Sequence, residues 1–219
     1  RVFCLSRGLG DVYKRQCLFL YGSTWLNRGK IEHPDGLGYF DPDVETFKKK
    51  DRHINDVSFI ASWYESPERA GYAIRKEIWK RQEEIEIPIM FHTSRKCFLN
   101  SPNPLPSGEK EDLFYSMFHI CIENQQIKHY FTEKLIDPLL TYTIPIYWGC
   151  PNIGAYFHTE GMIIFDTVDE LILQLNSLTM DDYEDRMEFI EKNRKIAETY
   201  ANFGDRIYQL IRENLCQNL

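Results

Sequence analysis

The stretch from Leu113 to Gly154 constrains the fold of this chain more than any other. It contains an apolar run, Met117–Ile122, which is typical of a strand buried in a parallel sheet. After a polar loop, Thr132 stands where a helix N-cap is expected, and apolar residues then recur at helical spacing: Leu135, Ile136, Leu139 and Leu140. A second apolar run, Ile144–Trp148, follows. Strand, helix and strand in this order predict a βαβ unit.

The polar loop of this unit, Glu123–Tyr130, follows the carboxyl end of a predicted strand, where open α/β sheets bind their ligands. The segment Thr132-Glu133-Lys134 then places backbone N–H groups, a hydroxyl and a cation at the start of a helix. This combination favours the binding of a phosphate group. Pro138 lies inside the predicted helix, where it removes one backbone hydrogen bond and is expected to cause a kink.

The spacing of polar residues in this loop resembles a known signature. Glu123-Asn124, five further residues, and then Tyr130–Leu135 (Tyr-Phe-Thr-Glu-Lys-Leu) are similar to the donor-binding motif of the α1,3/4-fucosyltransferases, glycosyltransferase family 10. Downstream, Pro145–Gly149 and Pro151-Asn152 continue the similarity. A weaker similarity extends from about Val57 to the C-terminus, which is most of the chain.

The resemblance implies an α/β fold, namely a Rossmann-like parallel sheet with flanking helices that forms the C-terminal, donor-binding half of a GT-B-type glycosyltransferase. It also implies an enzyme that binds GDP-fucose as donor substrate and transfers fucose with inversion to a hydroxyl of a glycan or glycoconjugate acceptor. No cofactor and no metal are implied.

The resemblance further implies roles for individual residues. Asn124, Tyr130 and Glu133 are expected to contact the ribose and fucose of the donor, since a carboxylate accepts two sugar hydroxyls and an amide both donates and accepts. Lys134 and the helix start at Thr132 suit the leaving diphosphate, whose negative charge grows during transfer.

A first βαβ unit precedes the main one, with strands at Val57–Ala61 and Ile87–Phe91 and a helix at Tyr72–Gln82. Arg75 lies near the start of this helix, just beyond the carboxyl end of a strand. In the family, an arginine in this region reaches the donor diphosphate, and Arg75 is the best positional match. The competing interpretation is an ordinary surface arginine.

The C-terminal part of the chain predicts one more strand and three helices. Met162–Phe165 is the expected strand, and Thr167 begins a helix that continues to Leu178 through a capping-box pattern. Thr179 is expected to cap a longer helix that ends near Tyr200, and Phe203–Ile211 predicts a last amphipathic helix.

We expect three regions along the chain. Residues 1–16 contain Asp11–Gln16, which is what GAT GTG TAT AAG AGA CAG encodes, so we interpret this region as a translated adaptor rather than native sequence. Residues 17–55 are expected to be the remnant of an N-terminal acceptor domain and a linker. Residues 56–219 are expected to form the nucleotide-sugar domain.

The general base stays unassigned in the sequence. The family places it on a carboxylate of the acceptor domain, and the acids of the expected remnant fit no motif: Glu32, Asp35, Asp41 and Glu45. We therefore expect this chain to bind the donor but to be incomplete for turnover.

Composition limits the partners and the class of protein. A net charge of −7 argues against a nucleic-acid-binding protein, and no apolar run is long enough for a transmembrane helix within this chain. The six cysteines are scattered without a CxxC pair, so they do not predict a zinc site. The compartment stays open: cytoplasmic for a bacterial or viral protein, the Golgi lumen for a eukaryotic one.

Two other functions remain open from the sequence. The chain could be a GT-B glycosyltransferase for another sugar nucleotide, or a degenerate, non-catalytic module that binds a glycan or a protein partner. Asn124, Glu133 and Lys134 at family spacing favour the fucosyltransferase over both.

Overall fold

The computed structural model of the chain describes residues 56–62, 69–93 and 110–201, together with residues 47, 208 and 212. Within these residues five strands form one sheet: β1 (Val57–Ala61), β2 (Ile89–Thr93), β3 (Phe118–Ile122), β4 (Ile144–Trp148) and β5 (Ile163–Ile164). The α-helices are α1 (Ala70–Lys80), α2 (Glu133–Leu140), α3 (Val168–Ser177), α4 (Met180–Glu184) and α5 (Met187–Ala201). The regions expected at 1–16 and 17–55, and nearly all of the helix predicted at 203–211, lie outside the described residues.

The sheet is parallel in every pairing, with strand order β2-β1-β3-β4-β5. This confirms the predicted α/β fold with helices flanking a parallel sheet. The strands β1 and β3 pair as Val57–Phe118 and Ser58–His119, near their amino ends. The strand order changes direction between β1 and β3, and the crevice outside their carboxyl ends is where such a sheet binds its ligand.

The predicted strands are confirmed, with small shifts at their ends. β1 and β4 have the predicted bounds, and β3 begins one residue later than Met117. β2 begins two residues later than predicted, after Pro88, which has no N–H for a sheet hydrogen bond. The Pro88 carbonyl nevertheless accepts a hydrogen bond from the N–H of Val57 (3.2 Å), so Pro88 marks the entry to the sheet.

The prediction of one long helix from Thr179 to Tyr200 is wrong, because α4 and α5 are separate helices. The break follows from Arg186, whose side-chain Nη1 donates to the carbonyl of Asp182 (2.9 Å). In a continuous helix that carbonyl would accept the backbone N–H of Arg186. This N–H bonds instead to the carbonyl of Tyr183 (3.3 Å), and the helix restarts at Met187.

The core is centred on β3, β4 and α2. Every residue of both strands is buried, as are six consecutive residues of α2, Leu135–Leu140. The sequence predicted one apolar face for α2, yet the helix is covered on two sides because it packs against the sheet and against α5. Pro138 lies within α2 as predicted.

Buried polar side chains of β1 and β3 contact one another. His119 is buried, and its Nδ1 lies 2.7 Å from the hydroxyl of Ser58. The same hydroxyl is 2.7 Å from that of Ser116. Cys121 and Cys150 are free and belong to the buried core.

We predict that Leu139→Ala lowers the free energy of unfolding by about 2–5 kcal/mol, because Leu139 is fully buried in α2 and the truncation leaves a cavity. Urea unfolding followed by circular dichroism measures this change. Leu173→Ala is the matched control, since Leu173 is 73% exposed and its truncation should change the free energy of unfolding by less than about 0.5 kcal/mol. Equal losses in the two variants would contradict the burial described here.

Candidate functional site

The helix α1 begins directly against the carboxyl end of β3. The N–H of Gly71, in its first turn, donates to the carbonyl of Asn124 (3.1 Å). A Cβ atom at Gly71 would lie 1.8 Å from the carbonyl oxygen of Glu123, which is far inside contact distance. Only glycine therefore allows α1 to start at this place.

Arg75 joins the ends of the two strands that border the crevice. It lies in the second turn of α1 rather than the first and is buried, with 3% of its surface exposed. Its guanidinium donates to the carbonyl of Ser62 after β1 (3.2 Å), to that of Ile122 at the end of β3, and to Oδ1 of Asn124 (3.0 Å). The surface interpretation of Arg75 is wrong, and a direct contact with a diphosphate stays a prediction.

Burial lowers the pKa of Arg75, while the nearby carboxylate of Glu123 opposes this change. The guanidinium also lies over the ring of Tyr72, 5.1 Å from its centroid, within the range of a cation–π interaction. The Arg75 guanidinium donates a hydrogen bond to Oδ1 of Asn124, so the NH₂ group of that amide is directed away from the guanidinium.

Glu123 holds the loop of the motif onto the start of α2. Its side chain is fully buried, and its carboxylate accepts from the N–H of Thr132 (2.7 Å) and from its hydroxyl (2.8 Å). Burial raises the pKa of Glu123, and the positive charge of Lys134 counteracts the increase. Glu123 and Thr132 are nine residues apart in the chain, so the hydrogen bonds between them close the loop into a compact turn.

Thr132 caps α2 as predicted, and its hydroxyl is fully used within the described residues. The hydroxyl donates to Glu123 and accepts from the backbone N–H of Lys134 (3.3 Å) and from its Nζ (3.2 Å). One donor and two acceptor positions are all that a hydroxyl has. The contact between Thr132 and a donor phosphate stays a prediction, and it would have to replace one of these hydrogen bonds.

Glu133 and Lys134 form an ion pair at the start of α2, with Nζ and Oε1 2.9 Å apart. Burial opposes the ionisation of both side chains. The charge of Lys134, with that of Lys110, nevertheless holds the pKa of Glu133 below its ordinary value. Glu133 and Glu123 likewise raise the pKa of Lys134. Both side chains are therefore charged at neutral pH, and both retain some exposure, 16% for Glu133 and 27% for Lys134.

Tyr130 lies beside this ion pair. Burial raises the pKa of its hydroxyl to about 12, with a further contribution from Glu123, so the hydroxyl stays protonated at neutral pH. The charge of Arg69 acts in the opposite direction, which places Arg69 near Tyr130 as well. Arg69 is exposed, immediately precedes α1, and donates to the hydroxyl of Tyr72 (3.3 Å).

The structure thus brings the six residues predicted for donor binding to one edge of the sheet: Arg75, Asn124, Tyr130, Thr132, Glu133 and Lys134. Two residues at this edge were not predicted as site residues. Glu123 was recognised only as part of the motif, although an acid directly after an apolar strand was a usable signal. Arg69 is preceded by residues outside the described part of the chain, and its sequence position gave no signal.

The comparison with protein families shows which family the chain belongs to. The family described as glycosyltransferase family 10 (fucosyltransferase), C-terminal, matches residues 58–218. The chain belongs to glycosyltransferase family 10. This confirms the family predicted from the Glu123-Asn124 and Tyr130–Leu135 motif, and it agrees with the prediction of a C-terminal region.

A curated family-10 relative is the alpha-(1,3)-fucosyltransferase FucT of Helicobacter pylori, which is 39% identical over 146 residues. The match covers 65% of this chain and 27% of that protein. This chain therefore spans about a quarter of the length of the curated relative that it matches.

Similar solved structures include a crystal structure of alpha1,3-fucosyltransferase, with 24% identity, a TM-score of 0.49, and coverage of 73% of this chain and 51% of that one. The alpha1,3-fucosyltransferase crystallised with GDP-fucose gives 24% identity and a TM-score of 0.49, with 72% of this chain and 50% of that chain covered. The chain thus spans about half of these structures.

In the part of the chain that the structure describes, no three or more histidine, cysteine, aspartate or glutamate side chains are grouped so that they could hold a metal ion. None of the helices in that part combines the length and the apolar character needed to cross a bilayer.

We predict that Gly71→Ala disrupts the edge of the sheet, because the added methyl group meets the backbone of Glu123 and α1 has to move away from β3. The free energy of unfolding, measured by thermal denaturation, should fall by about 1–3 kcal/mol, as it does at overpacked sites. Gly154→Ala is the matched control, since its nearest non-bonded atom would be Cγ2 of Thr159 at an ordinary 3.4 Å. If Gly71→Ala were as stable as the wild type, the close approach of Gly71 to the backbone of Glu123 would be refuted.

Proposed function

We propose that this chain is the donor-binding region of a GT-B-type fucosyltransferase, and that the whole protein transfers fucose with inversion from GDP-fucose to a glycan hydroxyl. The observation that carries the proposal is the packing of Arg75, Asn124, Glu133 and Lys134 around the crevice between β1 and β3 in a family-10 sheet. The family match begins at residue 58, which supports residues 56–219 as the donor domain.

The leaving diphosphate is assigned to the cations with exposed surface. Lys134 keeps its charge at neutral pH and has 27% of its side chain exposed. Arg69 is exposed, lies close enough to Tyr130 to lower its pKa, and can supply a second positive charge. Preorganised cations of this kind stabilise charge that develops in the transition state. Neutralisation of the diphosphate by these side chains supports transfer without a metal.

The sugar and ribose are assigned to the polar groups beside these cations. Glu133 is ionised, and its carboxylate can accept hydrogen bonds from two sugar hydroxyls. Asn124 is oriented by Arg75, so its NH₂ group is preset for a ligand oxygen. In this assignment Arg75 positions Asn124 and secures the strand ends, while Tyr130 offers a protonated hydroxyl as a hydrogen-bond donor.

The acceptor hydroxyl has to lose a proton to a base. Tyr130 does not suit this role, because its hydroxyl stays protonated at neutral pH. Glu133 is held in an ion pair and is committed to the sugar. We place the base in the acceptor domain, of which residues 17–55 are the proposed remnant and lie almost entirely outside the described residues.

We predict that the chain binds GDP-fucose and GDP, and that Lys134→Ala weakens the binding of GDP about tenfold or more, since one charge-assisted contact with a phosphate is removed. Isothermal titration calorimetry measures both affinities. Lys192→Ala is the matched control: this lysine is also ion-paired, 2.5 Å from Glu188, but it lies on α5.

The measured nucleotide affinities distinguish the fucosyltransferase from the alternative functions. Preference for a UDP-sugar or for GDP-mannose over GDP-fucose would favour a transferase for another sugar nucleotide. Absence of affinity for any nucleotide would favour a non-catalytic module. An unchanged affinity of Lys134→Ala for GDP would remove Lys134 from the site.

We also predict that residues 1–219 bind the donor without measurable transfer of fucose to an oligosaccharide acceptor, because the base is assigned to a domain that this chain contains only as a remnant. Mass spectrometry of acceptor mixtures measures product formation. Transfer by this chain alone would show that the base lies within it, and the acids at positions 32, 35, 41 and 45 would then be substituted one at a time.

A further inference from the structure

His129 in the motif loop has a left-handed backbone conformation, with φ at 68°. Residues that carry a side chain adopt this conformation only rarely, and they keep it where the surrounding structure holds them. His129 directly precedes Tyr130, which is one of the proposed donor contacts. The contacts that hold His129 therefore bear on the position of Tyr130.

Asn152, from the segment after β4, contacts both the backbone and the ring of His129. Its Oδ1 accepts the backbone N–H of His129 (2.8 Å), and its Nδ2 lies 3.1 Å from the ring Nδ1. Because Oδ1 faces an N–H group, the amide orientation is fixed and the NH₂ group is the one that faces the ring. The ring of His129 is thus held against the NH₂ group of Asn152, while its backbone is held by Oδ1 of the same amide.

Tyr156 holds the residues on both sides of Tyr130. Its hydroxyl also hydrogen-bonds to Nδ1 of His129, and the two ring centroids are 5.9 Å apart. On the other side, its ring centroid lies 5.2 Å from that of Phe131, which is buried. Tyr130 therefore lies between two residues that are fixed to the same aromatic ring.

We propose that His129, Asn152 and Tyr156 are positioning residues that form a clamp, and that this clamp fixes Tyr130 for the nucleotide-sugar donor. The proposal rests on the function proposed above, since it gives the clamp its role in donor binding.

The test uses calorimetric affinities for GDP-fucose. Asn152→Ala and Tyr156→Phe should each weaken binding by roughly three- to tenfold, as for a lost hydrogen bond. His129→Gly is the reference background, because glycine tolerates the left-handed conformation but lacks the ring that Tyr156 contacts.

Tyr156→Phe made in the His129→Gly background provides the reading that a purely structural role would not give. The hydroxyl of Tyr156 has no ring to contact there, so its removal should have little further effect on affinity. Equal losses of affinity in the wild-type and His129→Gly backgrounds would overturn the contribution of the His129 ring.

Hydrogen exchange of the loop amides, measured without ligand, separates the clamp from the proposed function. Exchange at residues 129–131 should be faster in Asn152→Ala than in the wild type. If the wild type binds the donor and all variants bind it with the same affinity, the positioning role alone is overturned. Absence of donor binding by the wild type would overturn the positioning role together with the proposed function, and unchanged exchange would overturn the clamp itself.

Discussion

The buried carboxylate of Glu123 is the group on which the site depends. It receives the N–H and the hydroxyl of Thr132 and thereby fixes the start of α2, while its backbone N–H donates to the carbonyl of Trp148 at the end of β4 (2.9 Å). Its carbonyl forms the surface against which Gly71 packs. One residue therefore sets the positions of two helices relative to two strands.

The charges around Glu123 stabilise one another rather than acting singly. Both acids, Glu123 and Glu133, raise the pKa of each of two cations, Arg75 and Lys134. Lys134 in turn lowers the pKa of each acid. A buried charge without a partner is costly, so the removal of one member leaves another uncompensated. Lys110, which also lowers the pKa of Glu133, and Arg69, which lowers that of Tyr130, add further positive charge at this edge of the sheet.

The sequence predicted those features that arise from local patterns. Apolar runs gave β1 and β4 with their observed ends, and the position of Thr132 gave the cap of α2. Features decided by contacts distant in the sequence were not predictable in this way. The burial of Arg75 depends on strand ends 13 and 47 residues away, and the break before α5 depends on the side chain of Arg186 bonding to a carbonyl.

Gly149 has a consequence for how chains of this architecture can diverge. A side chain there would place Cβ 2.6 Å from Cγ of Glu123 and 2.4 Å from the hydroxyl of Tyr147, which itself accepts the N–H of Cys150 (2.9 Å). Gly149, Tyr147 and Glu123 thus pack directly against one another. We expect substitutions at these three positions to be correlated among homologues. A distant homologue with a larger residue in place of Gly149 would also have replaced Tyr147 or Glu123.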